Sequence, residues 1–235
     1  MSTVMITGAS RGLGLEFTRQ YAADGWKVIA TCRNPEKATD LKRVPGDVII
    51  KTMDVTDPIQ ITGLSTELKY EVIDVLINNA AVHGPYDEKS SFGDIDINSW
   101  LKVIRVNTIS PLKVTEAFIE NIKLSDKKTI VFISSRAGSV SERGLLPHHE
   151  IGGSYIYRSS KAALNAATQS LSFDFTTWGI GILVLHPGFV KTEMAGIEGD
   201  IDVKTSVSGM RKVIEEFTPS ENGKFFNYDG EVIPW

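Results

Sequence analysis

Tyr157 and Lys161 are the residues in this sequence whose types and spacing best suit acid–base chemistry. The residues that follow, as far as Trp178, are predicted to be helical, and positions i and i+4 lie on one helical face. An isolated phenol has a pKa of about 10, which makes it a slow proton donor or acceptor at neutral pH. A neighbouring ammonium favours the phenolate, so we predict that Lys161 lowers the pKa of Tyr157. For this pair alone, an exposed helical contact without function is the alternative.

Ser135 and Asn107 are predicted to act with this pair. The apolar run Ile130–Ile133 predicts a strand that brings Ser135 to its carboxyl end, where a hydroxyl can hydrogen-bond a substrate oxygen. No G-x-S-x-G elbow surrounds Ser135, which argues against an attacking nucleophile. Pro111 clashes with the carbonyl of Asn107 and removes its helical hydrogen bond, which leaves that carbonyl to hold a water. A helix irregularity without function is the alternative for Asn107.

A glycine-rich turn follows the first predicted strand. Such a turn before a helix offers backbone N–H groups and the positive end of the helix dipole, which suit a pyrophosphate. Gly12 and Gly14 allow the backbone to approach a ligand and the helix to approach the strand. The spacing departs from G-x-G-x-x-G, and an ordinary strand–turn–helix link is the alternative. The predicted cofactor contacts from this turn are Gly8, Ser10, Arg11, Gly12, Leu13 and Gly14.

The end of the second predicted strand bears on the choice of cofactor. An NAD-specific site would place Asp or Glu about twenty residues after the glycines, to bind the ribose 2′-hydroxyl. This sequence instead has Cys32 followed by Arg33, and Arg11 lies in the glycine turn. Two guanidinium groups suit a 2′-phosphate, and this corner has no carboxylate to repel it. We therefore predict NADP(H) rather than NAD(H), with solvated surface arginines as the alternative.

Asp54 and Asn79 follow the third and fourth predicted strands, at the same edge of the sheet. The helix that Pro58 opens can be capped by a neighbouring residue, which leaves Asp54 to face the edge where ligands bind. Small residues after the fourth strand leave room for a ligand, although Asn78 could be structural and tie neighbouring strands together. The predicted cofactor contacts here are Asp54, Val55, Asn79 and Ala80.

Composition and charge argue against several functional classes. The 25 basic and 29 acidic residues give a net charge of −4 without a basic run, which disfavours nucleic acid as a partner. Cys32 is the only cysteine, so no internal disulfide can form and a reducing compartment fits. The sequence has no signal-peptide pattern and no apolar run of about 20 residues, so we predict a cytoplasmic protein without a membrane partner. The four histidines lack metal-ligand spacing, and no metal is predicted.

Short apolar runs alternate with helix-length segments along the chain. Continuous Val, Ile and Leu strands between helices are typical of a parallel sheet covered on both faces. With right-handed crossovers, this pattern predicts one α/β domain over residues 1–235, a Rossmann-type doubly wound parallel sheet of about seven strands. The predicted strands are Val4–Thr7, Val28–Cys32, Val48–Met53, Val72–Ile77, Thr129–Ser134, Ile180–His186 and Lys224–Tyr228. The predicted helices include Leu13–Ala23, Pro58–Lys69, Asn98–Lys123 and Tyr157–Trp178.

These motifs and their order resemble the short-chain dehydrogenases/reductases over essentially the whole chain. The shared motifs are Thr7-Gly8-x-x-x-Gly12-x-Gly14, Asn78-Asn79-Ala80, Asn107, Ser135, Tyr157-x-x-x-Lys161 and Pro187-Gly188. Each motif alone has weak or moderate specificity, but their joint order is highly specific. The run 152–165 and the final residues Tyr228-Asp229-Gly230 and Pro234-Trp235 are similar to the carbonyl reductases that include sniffer and C-factor.

The resemblance implies a carbonyl reductase that uses NADPH. Hydride would pass to the carbonyl carbon of an aldehyde, ketone or quinone while Tyr157 protonates the oxygen and Ser135 hydrogen-bonds it. Lys161 would also contact the nicotinamide ribose, and Asn107 would hold the water that links Lys161 to solvent. Thr192 resembles the family residue that holds the nicotinamide carboxamide. The other cofactor contacts that the resemblance implies are Pro187, Gly188 and Val190, together with Tyr157 and Lys161.

The sequence departs from the family pattern in two places. Ala81 replaces the glycine of the Asn-Asn-Ala-Gly motif, a small change. The segment before Tyr157 is longer than usual, so we predict a loop insertion near residues 141–154, close to the substrate mouth.

Glu193–Ser208 has two glycines and no clear period, which predicts a lid over cofactor and substrate, with an idle surface loop as the alternative.

Two other functions stay open. An NADP-binding signalling protein of C-factor type would need the glycine turn and Arg33 but not the catalytic residues together. An alcohol dehydrogenase that works oxidatively is the second; Arg33 favours the reductive direction, because cells usually keep NADPH reduced. We also predict a homodimer, in which the helices at Asn98–Lys123 and Tyr157–Trp178 pair across a two-fold axis unless the 141–154 loop obstructs them.

Overall fold

In the part of the chain that the structure describes, seven parallel strands form one sheet. A computed structural model describes residues 1–86, 88–142, 154–192 and 199–235. The strands are β1 (Thr3–Thr7), β2 (Lys27–Cys32), β3 (Val48–Thr52), β4 (Val75–Asn78), β5 (Thr129–Ile133), β6 (Gly181–His186) and β7 (Phe225–Asn227). All neighbouring strands pair in parallel, in the order β3-β2-β1-β4-β5-β6-β7. The doubly wound fold predicted from the sequence is confirmed.

Helices cover both faces of this sheet. They are α1 (Gly12–Ala23), α2 (Thr39–Lys42), α3 (Pro58–Glu67), α4 (Ile97–Ile104), α5 (Ser110–Lys123), α6 (Tyr155–Asp174) and α7 (Val203–Glu216). Successive side chains of a strand point to opposite faces, so Val4 and Ile6 join one core while Met5 joins the other. The first core includes Phe17 of α1, and the second includes Phe118 of α5. Burial on both faces explains why the central strands are apolar throughout rather than alternating, whereas the edge strand β3 is only half-buried.

The order of the strands reverses at β1. From β1 the chain builds outward through β2 and β3 on one side, and from β4 through β7 on the other. Ile6 of β1 is in register with Ala30 of β2 and Ile77 of β4, so β1 lies between both halves. In a doubly wound sheet this reversal opens a crevice at the carboxyl ends of the strands, where ligands bind. The loops after β1, β4, β5 and β6 all leave from that edge.

Local signals set the ends of the helices. Asp57 is the N-cap of α3, and its Oδ1 accepts a hydrogen bond of 2.9 Å from the backbone N–H of Ile59. Pro58 occupies the first turn, where its missing N–H is not needed. The predicted helix Asn98–Lys123 is in fact three pieces, because a π-helical turn over Arg105–Ile109 separates α4 from α5.

The main difference from the sequence prediction lies near the carboxyl end. The lid over Glu193–Ser208 stays a prediction, but its last residues, from Val203 to Ser208, form the start of helix α7. Asp202 caps α7 by accepting a 2.7 Å hydrogen bond from the N–H of Thr205. Residues 193–198 of the predicted lid and residues 143–153 of the predicted loop insertion lie outside the described residues.

Two searches of the described residues bear on partners. Among their helices, none combines the length and the apolar composition that crossing a bilayer requires. Within the same part of the chain, no three His, Cys, Asp or Glu side chains are grouped so that they could hold a metal ion.

Candidate active site

Ser135, Tyr157 and Lys161 meet at the carboxyl edge of the sheet. The phenol of Tyr157 is hydrogen-bonded to the side chain of Ser135. The Ser135 oxygen also accepts a 3.1 Å hydrogen bond from the backbone N–H of Ala137, which fixes the hydroxyl at the start of a short 3₁₀ turn. Ser135 comes from the end of β5, whereas Tyr157 and Lys161 come from the first turns of α6. The fold thus joins residues that are 22 or more positions apart in the sequence.

A glycine allows this approach. Gly138 ends the 3₁₀ turn after Ser135, and a Cβ built on it would lie 2.7 Å from the backbone carbon of Lys161. No side chain fits in that space, so the turn that carries Ser135 lies directly against the backbone of α6. The distance between the serine hydroxyl and the phenol therefore depends on Gly138.

Burial sets the pKa of Tyr157. Part of the side chain is exposed, but the hydroxyl is surrounded by protein, and loss of hydration raises its pKa to about 12. The hydrogen bond with Ser135 opposes this shift, and the nearby Tyr86 adds to it. The predicted lowering of the Tyr157 pKa by Lys161 is wrong, since desolvation dominates and the Lys161 ammonium nitrogen lies 5.9 Å from the centre of the phenol ring.

Lys161 is itself buried, with only 2% of its surface exposed. Its Nζ donates a 2.9 Å hydrogen bond to the backbone carbonyl of Ile133, at the end of β5. Desolvation of the ammonium lowers the pKa of Lys161 to about 8. A buried amine held in this way is unfavourable for folding, which points to a functional reason for its position.

Replacing Lys161 by Met is expected to change how stability depends on pH. The folded chain releases the Lys161 proton from about pH 8, whereas the unfolded chain keeps it up to a pKa near 10.5. The wild type therefore gains stability as pH rises between these values. Its free energy of unfolding in urea should increase relative to Lys161→Met between about pH 7 and about pH 9.5. An equal difference at both pH values would contradict the effect of burial on this amine.

The side chain of Asn107 ties together the loop after β4 and helix α6. Its Oδ1 accepts a 2.9 Å hydrogen bond from the N–H of Val82, and its Nδ2 donates to the Val82 carbonyl at 2.8 Å. The same Nδ2 donates to Ser160 Oγ at 3.0 Å. Asn107 lies in the π-helical turn, close before Pro111, so the helix is irregular where the sequence predicted it. That its carbonyl holds a water stays a prediction.

The glycine turn has a shape that fits a pyrophosphate. Gly8 and Gly12 have φ angles of +68° and +54°, which disfavour any residue with a Cβ. Arg11 occupies the N-cap of α1 in an extended conformation, and its side chain does not cap the helix. The first N–H groups of α1 thus have no cap from the Arg11 side chain, and they lie at the positive end of the helix dipole. These features are what an anionic phosphate group requires.

Asn79 holds this turn against the end of β4. Its Nδ2 donates to the carbonyl of Thr7 at 2.8 Å and to that of Gly8 at 3.2 Å. In return, the Thr7 hydroxyl accepts hydrogen bonds from the N–H groups of Asn79, at 3.0 Å, and Ala80, at 3.1 Å. The structure therefore brings Asn79 and Ala80 beside the glycine turn and gives Asn79 a supporting role.

Arg33 lies at the end of β2 near the carboxylate of Asp54. Burial raises the pKa of Asp54, but two hydrogen bonds from Thr56, both 2.8 Å, and the charges of Arg33 and Arg105 outweigh it and lower the pKa. Arg105 also donates a 2.7 Å hydrogen bond to the carbonyl of Thr56. Sequence reasoning missed Arg105, because nothing in a helical position predicts that its side chain crosses to the loop after β3.

The loop after β6 approaches the crevice from the other side. Gly188 has a φ of +83°, and a Cβ on it would lie 2.8 Å from the Ile201 side chain. Val190 forms an isolated parallel bridge with Ile201. A Cβ on Gly12 would lie 4.0 Å from the Thr192 methyl group, so Thr192 lies beside the glycine turn. The loop after β6, which carries Pro187 and Gly188, thus brings Thr192 to the glycine turn.

Sequence reasoning also missed an aromatic stack on Tyr157. The ring of His83 lies 4.4 Å from that of Tyr157, centre to centre, and 3.8 Å from that of Tyr86 on the other side. His83 was considered only as a metal ligand. Its place in the loop directly after β4, at the ligand edge of the sheet, was the signal that could have identified it.

The site can be compared with known proteins. A family model described as short chain dehydrogenase matches residues 2–200. The chain belongs to the short-chain dehydrogenase family. Its C-signal relative from Myxococcus xanthus is 37% identical over 163 residues, which cover 69% of this chain and 93% of that protein.

Solved structures of this short-chain dehydrogenase family resemble the chain over its whole length. The NADPH-bound carbonyl reductase from chicken fatty liver is 33% identical, with a TM-score of 0.89, and the match covers 100% of this chain and 99% of that one. The carbonyl reductase Sniffer of D. melanogaster is 30% identical, with a TM-score of 0.90 and 100% coverage of both chains. The protein is accordingly an oxidoreductase of the short-chain dehydrogenase family.

Proposed function

We propose that the protein is an NADPH-dependent carbonyl reductase that acts on an aldehyde, ketone or quinone. The observation that carries this proposal is the hydrogen bond between Tyr157 and Ser135, with Lys161 in the next turn of the same helix as Tyr157, at the carboxyl edge of the sheet. Similarity to two carbonyl reductases, one of them bound to NADPH, supports it. NADPH, when bound, supplies the hydride for the carbonyl carbon.

The raised pKa of Tyr157 suits a proton donor. With a pKa of about 12, the phenol is protonated throughout the physiological range. The alkoxide that develops during reduction is more basic than a phenolate, so transfer of the Tyr157 proton to it is favourable. Ser135, fixed by its bond from Ala137, donates a hydrogen bond to the same oxygen and stabilises its growing charge.

Lys161 is held beside Tyr157 in the same site. Its ammonium lies over the Tyr157 ring and is anchored to the end of β5. We propose that Lys161 also binds the nicotinamide ribose, and that the water held by Asn107 returns the proton from solvent.

The crevice has the donor groups that a dinucleotide needs. The glycine turn and the start of α1 would hold the pyrophosphate, and Asp54 and Val55, which follow β3, would contact the adenine end. At the end of β2, Arg33 stands in place of the acidic residue that NAD-specific sites use. Arg33 and Arg11 would hold the 2′-phosphate of NADPH.

Replacing Arg33 by Ala is expected to weaken the binding of NADPH but not the binding of NADH. Loss of a charge-assisted hydrogen bond to the 2′-phosphate should raise the KM for NADPH by about 10–100-fold and leave the KM for NADH nearly unchanged. Arg43→Ala, at an arginine whose side chain is 76% exposed and pairs with Asp40, is the matched control. An equal effect of Arg33→Ala on both cofactors would contradict the assigned contact.

A carbonyl panel tests the function directly. The protein is incubated with NADPH or NADH and with aldehydes, ketones and quinones, and the loss of nicotinamide absorbance is followed. We expect turnover with NADPH on at least one class and much slower turnover with NADH. Turnover with NADH alone would reject the cofactor, and binding of NADPH without turnover on any class would reject the reductase.

The C-signal relative favours a second candidate, an NADP-binding signalling protein with little turnover. The catalytic trio distinguishes the two, because a cofactor sensor has no need of a hydrogen-bonded serine and phenol. A dehydrogenase that works oxidatively is a third candidate, since the Rhodococcus protein named 1-hydroxy-2-glutathionyl-2-methyl-3-butene dehydrogenase is 30% identical over the full length of both chains. Alcohol oxidation with NADP⁺ that is faster than carbonyl reduction with NADPH would favour it.

A further inference from the structure

We propose that His83 is a positioning residue for the reaction proposed above: stacked between Tyr86 and Tyr157, its imidazole keeps the Tyr157 phenol turned towards Ser135. His83 belongs to the loop after β4, and the proposed function assigns it no part. The three rings form a continuous stack. The planes of His83 and Tyr86 differ by 5°, and those of His83 and Tyr157 by 19°. Nearly parallel rings at these separations make extended contact over their faces.

The contact is with ring faces rather than with hydrogen-bonding edges. Nδ1 of His83 is buried and has no hydrogen-bond partner among the described residues. Desolvation lowers the pKa of His83, although a hydrogen bond with the backbone of Gly84 opposes the shift, so the ring is neutral at pH 7. A neutral ring can stack on a phenol without altering its charge.

The loop that carries His83 is held in place at the residues directly before and after His83. On one side, both backbone groups of Val82 are bonded to the side chain of Asn107, at 2.9 and 2.8 Å. On the other side, Gly84 has a φ of +88°, and a Cβ on it would lie 3.0 Å from Val103 and 3.3 Å from Ile156. Ile156 is fully buried and directly precedes Tyr157. The loop thus lies against the first turn of α6, with no freedom to move the imidazole away.

Tyr157 depends on this packing for its orientation. Ser135 is the side chain that is hydrogen-bonded to its hydroxyl, and a single hydrogen bond at the end of the ring does not by itself prevent the ring from swinging about χ1. Contact of the flat His83 ring with the face of the phenol blocks that swing on the side where His83 lies. Asn107 then gains a second task besides its predicted water, because it fixes the backbone that presents His83.

The test uses three proteins: the wild type, His83→Ala and His83→Phe. Phe keeps a flat ring and lacks the ring nitrogens, so it separates stacking from hydrogen bonding. With the carbonyl that the wild type reduces fastest, His83→Ala should lower kcat by about 10–100-fold and leave the KM for NADPH within about two-fold. His83→Phe should recover kcat to within about three-fold of the wild type. Failure of His83→Phe to restore kcat would overturn the role of stacking.

A second readout does not depend on activity. Ionisation of Tyr157 is followed by phenolate absorbance up to about pH 10.5, and the same titration of Tyr157→Phe subtracts the other tyrosines. Loss of the covering ring should hydrate the phenol, so the Tyr157 signal should appear in His83→Ala but not in the wild type or His83→Phe. His83→Ala with the wild-type titration and the wild-type kcat would reject the proposal. If the wild type binds NADPH but reduces no carbonyl, the proposed function fails, and this titration alone decides the positioning role.

Discussion

Tyr157→Phe is expected to lower kcat for carbonyl reduction by about 10²–10⁴-fold, the usual contribution of a positioned general acid. The substitution removes only the hydroxyl and leaves the ring that packs against His83. The fold and the affinity for NADPH should therefore be retained, since neither depends on the phenolic proton. Single-turnover reduction measures the first effect, and nicotinamide fluorescence on titration with NADPH measures the second.

Tyr155→Phe is the matched control for this variant. Tyr155 lies two residues earlier in α6, in the same turn, but 39% of its surface is exposed and it has no part in the site. Its replacement should leave kcat within about two-fold of the wild type. A Tyr157→Phe protein with full activity would reject Tyr157 as the acid. Equal losses in both variants would instead indicate general damage to the start of α6.

Gly14→Ala is expected to abolish tight NADPH binding. A Cβ on Gly14 would collide with the carbonyl oxygen of Gly8 and lie 2.7 Å from Nδ2 of Asn79. Both are groups that hold the glycine turn, so the turn must move and its N–H groups lose their alignment. We expect the Kd for NADPH to rise by about 100-fold or more and the stability to fall by about 1–3 kcal/mol. Calorimetric titration with NADPH and denaturation in urea give the two quantities.

Gly63→Ala tests the same chemical change where space is available. Gly63 lies within α3, and a Cβ on it would have no neighbour within 4 Å. Because alanine is the better helix former, this variant should be as stable as the wild type or more stable by about 0.5–1 kcal/mol. Its Kd for NADPH should be unchanged. Wild-type affinity in Gly14→Ala would show that the glycine turn does not hold the cofactor.

The fold could be predicted from the sequence because local signals agreed with the tertiary structure. The strands other than the edge strand β3 are buried on both faces, so their apolar runs were continuous, and most strands had Gly or Pro residues or a recognisable helix start such as Pro58 near one end. Helix α7 was not predicted, because two glycines precede it and its own first residues are mostly polar. Its stability comes from burial of Val207, Met210 and Ile214 against the sheet, which is a tertiary effect.

The sequence predicted which residues form the site, but it did not predict the pKa shift of Tyr157. Residue types and order pointed to Ser135, Tyr157 and Lys161, because their spacing along strand ends and one helical turn is written in the chain. The direction of the Tyr157 pKa shift could not be predicted from the sequence, since it depends on how much water the folded chain removes from the phenol. A Coulombic argument from i, i+4 spacing omits that desolvation.

The sequence by itself determined the strand–helix alternation, the glycine turn, the basic corner at Arg33 and the order of the catalytic residues, since each is a local property of neighbouring positions. Only the tertiary structure decided which groups from distant segments touch. It placed His83 on the face of Tyr157, Gly138 against Lys161 and Asn107 on Val82. Such contacts, and the pKa values that follow from them, arise from packing and loss of water, and no single stretch of sequence records either.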